Sequence, residues 1–141
     1  MKIYTTYFSN IKKLPPHIIP ISIAAKNPSS WHGLTFKKLA PPWYLVKDYK
    51  VNGDKQSYTS EYQRIVLQNL KQDSIVMQLA SIACIDEFIV QRNDGYEIAA
   101  IKTDRDIALI CYENPEDFCH RHLVAEWLNQ SGYNVTEWHA S

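Results

Sequence analysis

The spacing of apolar and polar positions changes period several times along the chain, and each change marks a predicted element. Residues 2 to 8, "KIYTTYF", are rich in β-branched and aromatic types and predict a first strand; Ser9 and Asn10 follow with turn or helix-cap chemistry. A second apolar run covers Ile18 to Ala25 and contains Pro20, which has no N–H for a ladder, so the predicted strand is Ile21 to Ala24. Residues 26 to 54 hold Pro28, Gly33, Pro41, Pro42 and Gly53, with Trp31, Trp43 and Tyr44 among them, and predict a long loop region with short turns.

From Lys55 to Leu70 the spacing of Tyr58, Tyr62, Ile65, Val66 and Leu70 is helical, and Asp73 is placed to cap a further helix through Ala83 with Ile75, Leu79, Ile82 and Ala83 on one face. "EFIVQRNDGYEIAAIK" has two readings: a hairpin around Asn93-Asp94-Gly95, or a helix running on to Arg92. "IALICY", Ile107 to Tyr112, is a continuous apolar run bounded by charges, as in a strand buried on both faces. A helix with Leu123, Val124, Trp127 and Leu128 on its inner face follows; Gly132 is placed to end it, and "YNVTEWH" predicts the closing strand. Strand, helix and strand in so short a span suit a parallel crossover. The predicted fold is a single small three-layer α/β domain, Rossmann-like, with a mainly parallel sheet and, on one reading of residues 86–104, an added β-hairpin.

Composition narrows the function classes. A chain of 141 residues fits one domain. Fifteen Lys+Arg balance fifteen Asp+Glu, so no basic excess points to a nucleic-acid polymer as partner. The amino terminus lacks the apolar core of a signal peptide, and no apolar run reaches membrane-spanning length. No membrane partner is therefore expected, and a cytoplasmic location is. With no secretion signal and an odd number of cysteines, Cys84, Cys111 and Cys119 are expected to be free thiols.

Candidate chemistry concentrates in "CYENPEDFCHRHLVAEWL", Cys111 to Leu128, where the buried strand turns into a helix. Sites in open parallel sheets form beyond the carboxyl ends of the strands, which would gather Tyr7 and Ser9, Ala24 to Lys26, Tyr112 to Asn114, and His139. "NPED" is itself a helix start, with Asn114 as cap and Pro115 in the first turn. A helix beginning there turns Cys119 and His120 toward the sheet and His122 toward solvent. A helix beginning at Phe118 or Cys119 instead puts the thiol at the amino terminus, where the dipole lowers its pKa and Arg121 can clamp an anion.

Plainer readings stand beside these. Buried cysteines are often only packing. His120 can cap a carbonyl, Arg121 can pair with Glu113, Glu116 or Asp117, and His122 and His139 can be ordinary surface residues. Cys111, Cys119, His120 and His122 are all good metal ligands, but Cys-x7-Cys-His-x-His does not match the usual zinc spacings, so neither a metal nor a cofactor is expected. GxGxxG, P-loop, HExxH and CxxC motifs are absent.

"ALICYENPEDFCHRHLVAEWL" resembles the signature of the domain of unknown function 488 family, in which a strand ending in Cys and Glu leads into Cys-His-Arg at a helix start. Cys111, Glu113, Cys119, His120 and Arg121 match that pattern; "YTTYFS", with Thr5 and Ser9, resembles the family's opening strand, and "VTEWH" more loosely its last. The resemblance covers about half the chain. It implies an α/β sheet with the Cys-His-Arg corner as the working site, and it carries no reaction. Two departures stand out: the run "ISIAAK" replaces a second strand ending in Asp-Val-Arg, leaving Lys26 as the available cation, and the Gly common near Tyr7 is missing.

The leading expectation is an enzyme-like domain that binds an anionic small molecule, a nucleotide or phosphosugar. Cys119 would be nucleophile or thiolate, His120 a proton carrier and Glu113 a general base, in a thiol-dependent hydrolase or transferase. Arg121, Ser9, Tyr7, Lys26, Tyr112 and Asn114 would line the ligand, with Trp31, Trp43 and Tyr44 covering it. The alternatives are a non-catalytic module that binds a ligand or a protein in the same place, and an interaction protein in which the corner is packing.

Overall fold

A five-stranded, wholly parallel sheet organises the chain. In a computed structural model, residues 1–83, 88–93, 96–101, 105–113 and 117–140 are described, the segments 88–93 and 96–101 as backbone. The elements run β1 (Ile3–Tyr7), β2 (Ile18–Ser22), β3 (Leu34–Thr35), α1 (Trp43–Asn52), α2 (Lys55–Ile65), α3 (Gln72–Ala83), β4 (Phe88–Asn93), β5 (Tyr96–Ile101), β6 (Asp106–Cys111), α4 (His120–Asn129) and β7 (Thr136–Glu137). Strand order is β3-β2-β6-β1-β7, and β4 and β5 form a separate antiparallel pair. This is the mixed α/β, Rossmann-like architecture that the alternation of strand and helix patterns predicts.

β6 sits at the centre because every residue from Ile107 to Cys111 is buried. Its alternate side chains serve two cores. Ile107 and Leu109 join Ile3, Ile21 and Ile23 under the helices, against Tyr62, Ile75, Leu79, Val124 and Leu128. Ala108 and Ile110 face the other way, with Ile18, Tyr4, Phe8, Ile11, Leu14 and Trp138. The layer on that second face is thin: among the described residues a 3-10 turn, Phe8–Lys13, and single side chains cover it. Thr5, Tyr7 and Cys111 share the strand parity of Ile3 and Ile107, so they lie on the face that carries the helices.

Several boundaries differ from expectation. β2 runs through Pro20 rather than starting after it. Ile23 donates its N–H to Ile110 of β6, so alternate residues, Pro20 among them, direct their nitrogens toward β3. β3 pairs only with Ile21 and Ser22, and Pro20 therefore lacks no ladder partner on that side. The expected loop over residues 26–54 contains β3 and α1. Pro42 precedes α1, and Gly53 ends it in the left-handed conformation, φ 62°, donating its N–H to Tyr49. Asp54 then caps α2 by accepting from the Ser57 N–H at 3.0 Å. The hairpin reading of the segment before β6 is the correct one, with Phe88 opposite Ile101 and Asn93 opposite Tyr96. The closing strand is only Thr136–Glu137. No helix among the described residues is long and apolar enough to cross a membrane.

Candidate functional site

α4 begins at His120 with Cys119 as its cap residue in extended conformation, so the later of the two helix starts is the one adopted. Residues 114–116, with the candidate cap Asn114, lie outside the described residues, as does Cys84. This start turns Cys119 and His120 toward the carboxyl ends of β2 and β6, where Cys119 meets Cys111. The two cysteines are joined as a disulfide. That corrects the expectation of free thiols for Cys111 and Cys119: the strand end and the helix start share one corner, and both residues are buried there.

His120 is buried and its orientation is set by one bond. Nε2 lies 2.7 Å from the Ile23 carbonyl, which can only accept, so Nε2 carries the hydrogen. The free Nδ1 then faces Cys119, 3.8 Å from Sγ. The ring stands edge-on to Tyr62, centroids 5.6 Å apart. Burial, with smaller contributions from Arg121 and His122, pushes the imidazole pKa down to about 4 against the opposing bond to Ile23, so His120 is neutral at physiological pH.

Arg121 is completely buried and its guanidinium is committed to the protein. Nε and Nη2 grip the Glu137 carboxylate at 3.1 and 3.0 Å, and Nη1 reaches the Glu113 carbonyl at 2.7 Å and Cys111 Sγ at 3.1 Å. Its carbon lies 5.8 Å from the Tyr7 ring centroid. Glu137 also accepts from the Thr5 hydroxyl at 2.6 Å. The sequence predicts a ligand for Arg121, with Glu113, Glu116 and Asp117 as alternative partners. The acidic partner is instead Glu137, brought across by the pairing of β7 with β1.

A cavity of about 300 Å³ opens at this corner. Cys111, Tyr112, Glu113, Cys119 and His120 line it from the β6–α4 side, and Ala24 and Ala25 from the end of β2. Val46, Tyr49 and Lys50 of α1, with Tyr58 and Phe118, form the opposite wall. Tyr49, Tyr58 and Phe118 touch one another with centroids 5.1–5.6 Å apart. Burial first, then the Glu113 and Tyr49 charges, raises the Tyr58 phenol well above its usual pKa.

The cavity thus brings together Cys119, His120, Glu113 and Tyr112 of the predicted set. Ser9 is exposed on the 3-10 turn, Tyr7 lies beneath Arg121, and His139 is exposed near the end of the chain. Lys26 is exposed with Nζ 3.9 Å from the Trp43 ring centroid, and Lys50 approaches the same ring from 5.2 Å. Trp31 packs on Phe8 instead of covering the cavity. His122, expected in solvent, is half-buried, and its Nε2 has no partner among the described residues. Sequence reasoning missed the α1 wall, Tyr49, Tyr58, Phe118 and Glu137. Pro42 and Gly53 were the available signals for the first of these.

Fold and corner together define an α/β domain with a cysteine–histidine cavity at the carboxyl ends of a parallel sheet. The chain belongs to the DUF488-N3 family: the family model described as "Active DUF488-N3 subclade" matches residues 11–132. The matched span holds the whole Cys111 to Arg121 motif, while Thr5, Ser9 and Glu137 fall outside it. No curated protein and no solved structure matches the chain.

Proposed function

We propose that this protein binds an anionic small molecule carrying a planar or sugar ring, of the nucleotide or phosphosugar class, in the cavity beside Cys119 and His120, and acts on it there. The observation that carries this reading is the composition of the cavity wall. Tyr49, Tyr58 and Phe118 offer an aromatic face, Lys50 a cation, and neutral His120 with Glu113 two proton-accepting groups on the opposite side. A volume of about 300 Å³ is at the lower end for small-ligand sites, which favours a mononucleotide or a phosphosugar over anything larger. The description of the matching subclade as active agrees with catalysis. Arg121 acts as a positioning residue: it holds β7, the Glu113 carbonyl and Cys111 in register behind the cavity.

A second reading, a binding module without turnover, is favoured by one observation. Cys111 and Cys119 are joined, so neither sulfur is a thiolate as the structure stands.

The test is a thermal-shift panel of nucleotides, phosphosugars and inorganic phosphate on wild type, Lys50→Glu and Val46→Trp, the last filling the cavity from α1. A ligand at 100 times its dissociation constant adds about 2.7 kcal/mol, a midpoint shift of roughly 5–10 °C for a chain of this size. Such a shift in wild type, lost in both variants, is expected. An equal shift in all three rejects the cavity as the site.

A further inference from the structure

Cys111, Cys119 and His120 meet at one point, and three independent features of that point suit a metal ion. The first is the set of ligand atoms: the two sulfurs and one imidazole nitrogen all lie within 4.8 Å of one another. Cys119 Sγ and His120 Nδ1 are 3.8 Å apart. A tetrahedral zinc ion with bonds of about 2.3 Å to sulfur and about 2.05 Å to nitrogen places such a pair about 3.6 Å apart.

The second is the support behind each donor. His120 presents Nδ1 because Nε2–H is held by the Ile23 carbonyl, the backbone bond that commonly orients a metal-binding imidazole. Cys111 Sγ accepts from Arg121 Nη1–H at 3.1 Å, a bond that favours a thiolate, and Glu137 balances the arginine charge. The third is access. All three residues are at most 5% exposed, yet all three line the cavity, so an ion held among them would border a space that a small ligand can enter.

We infer that the reduced chain binds a thiolate-seeking divalent cation, zinc by preference, through Cys111 Sγ, Cys119 Sγ and His120 Nδ1, with its fourth coordination position open to the cavity. Spacing along the chain argued against zinc because the usual knuckle takes its cysteine pairs from one short turn. Here one sulfur comes from the end of β6 and the other two ligands from the start of α4. The Cα atoms of Cys111 and Cys119 are 7.4 Å apart, which leaves room for the sulfurs to separate to the about 3.8 Å that a shared tetrahedral ion requires.

Loading takes two balanced steps. A phosphine reductant with water gives the S–S bond two electrons and two protons, leaving two thiols and a phosphine oxide. The incoming Zn2+ then displaces both thiol protons to solvent and forms two Zn–S bonds, while His120 gives the Nδ1 lone pair and keeps its Nε2–H on the Ile23 carbonyl. Three protein ligands and one open position are the arrangement of catalytic rather than structural zinc, with water or a ligand oxygen completing the shell. With the ion bound, Cys119 is a ligand instead of a nucleophile and His120 a ligand instead of a proton acceptor, which leaves Glu113 as the proton-accepting group at the cavity. This inference goes beyond the proposed ligand class, and its test uses the metal alone, so either can fail without the other.

The experiment is an anaerobic titration of the phosphine-reduced full chain with Zn2+ against a chromophoric chelator, repeated with Co2+ to read coordination. Wild type is expected to take one Zn2+ per chain and, with Co2+, to show tetrahedral ligand-field bands and thiolate-to-cobalt charge transfer. Cys119→Ser, Cys111→Ser and His120→Ala should each weaken binding at least about 100-fold, beyond the 10–100-fold usual when only an outer-shell partner is lost. His122→Ala, outside the cluster, should keep wild-type affinity. Circular dichroism of each metal-free variant identifies any that fail to fold, and affinities are compared only among those that do fold. Wild-type affinity no tighter than that of folded Cys119→Ser or Cys111→Ser, or cobalt spectra without thiolate charge transfer, overturns the site.

Discussion

His120 and Ile23 are 97 residues apart in the chain and joined by one hydrogen bond of 2.7 Å, Nε2–H to the carbonyl oxygen. The bond ties the start of α4 to the chain just past the end of β2 and decides which imidazole nitrogen faces Cys119. Removing it leaves a buried carbonyl unsatisfied and a hole beside Tyr62. His120→Ala is expected to lower stability by about 2–4 kcal/mol, read from the urea midpoint with an unchanged slope. His120→Gln, whose amide can still donate to Ile23, should recover part of the loss.

Arg121 and Glu137 form an ion pair with the arginine fully buried and the Glu137 side chain 15% exposed. Arg121→Met strands a largely desolvated carboxylate beside Thr5, and a loss of about 3–5 kcal/mol is expected. Arg121→Lys should rescue little, because an ammonium cannot reproduce the fork that holds Glu137, the Glu113 carbonyl and Cys111 together. The double variant Arg121→Met with Glu137→Leu should be more stable than Arg121→Met alone. A denaturant double-mutant cycle gives the coupling directly, and additive effects would contradict the buried pair.

Gly53 closes α1 at φ 62°, and nothing stands within 4 Å of a Cβ placed there. The cost of a side chain is therefore conformational rather than steric. Gly53→Ala is expected to cost about 1–2 kcal/mol, and Gly53→Asn less, since asparagine tolerates the left-handed region. Thermal melts of the two variants check the order.

Tyr58 and Tyr62 are buried phenols whose pKa values burial raises well above 10. In the unfolded chain both ionise near their ordinary pKa of about 10, while in the folded chain both keep their protons. The folded state then binds more protons, so stability falls as pH rises above about 10 and is unaffected by these groups below it. Urea midpoints at about pH 8 and about pH 11 should differ more for wild type than for Tyr58→Phe. Equal differences would mean that Tyr58 is ionised in the folded protein.

Much of the scaffold was legible because its signals are local. The unbroken apolar run of β6, the helical spacing of Tyr58 and Tyr62, and the two strand-like runs of the hairpin each correspond to an element of the structure. α1 was not legible by period: its ten residues bury only Leu45, so no apolar stripe distinguishes it from a loop. Its markers are instead the Pro42 before it and the Gly53 after it. The corner was half legible. Cys119, His120 and Glu113 were found from one contiguous stretch, but the partner of Arg121 was not. Glu137 reaches Arg121 only because β7 pairs with β1, a relationship set by the order of strands in the sheet. The joining of Cys111 to Cys119 likewise depends on where the start of α4 lies against the end of β6.

The central claim is that ligand enters the cavity between α1 and the Cys119–His120 corner. Backbone amide chemical-shift mapping tests it most directly, with isotope-labelled chain titrated to saturation by the nucleotide or phosphosugar giving the largest thermal shift. The largest changes are expected on Ala24, Ala25, Lys50, Phe118, Cys119 and His120. Changes centred instead on Ser60, Arg64, Leu67 and Trp127, which line a separate cavity of about 400 Å³ between α2 and α4, would contradict it.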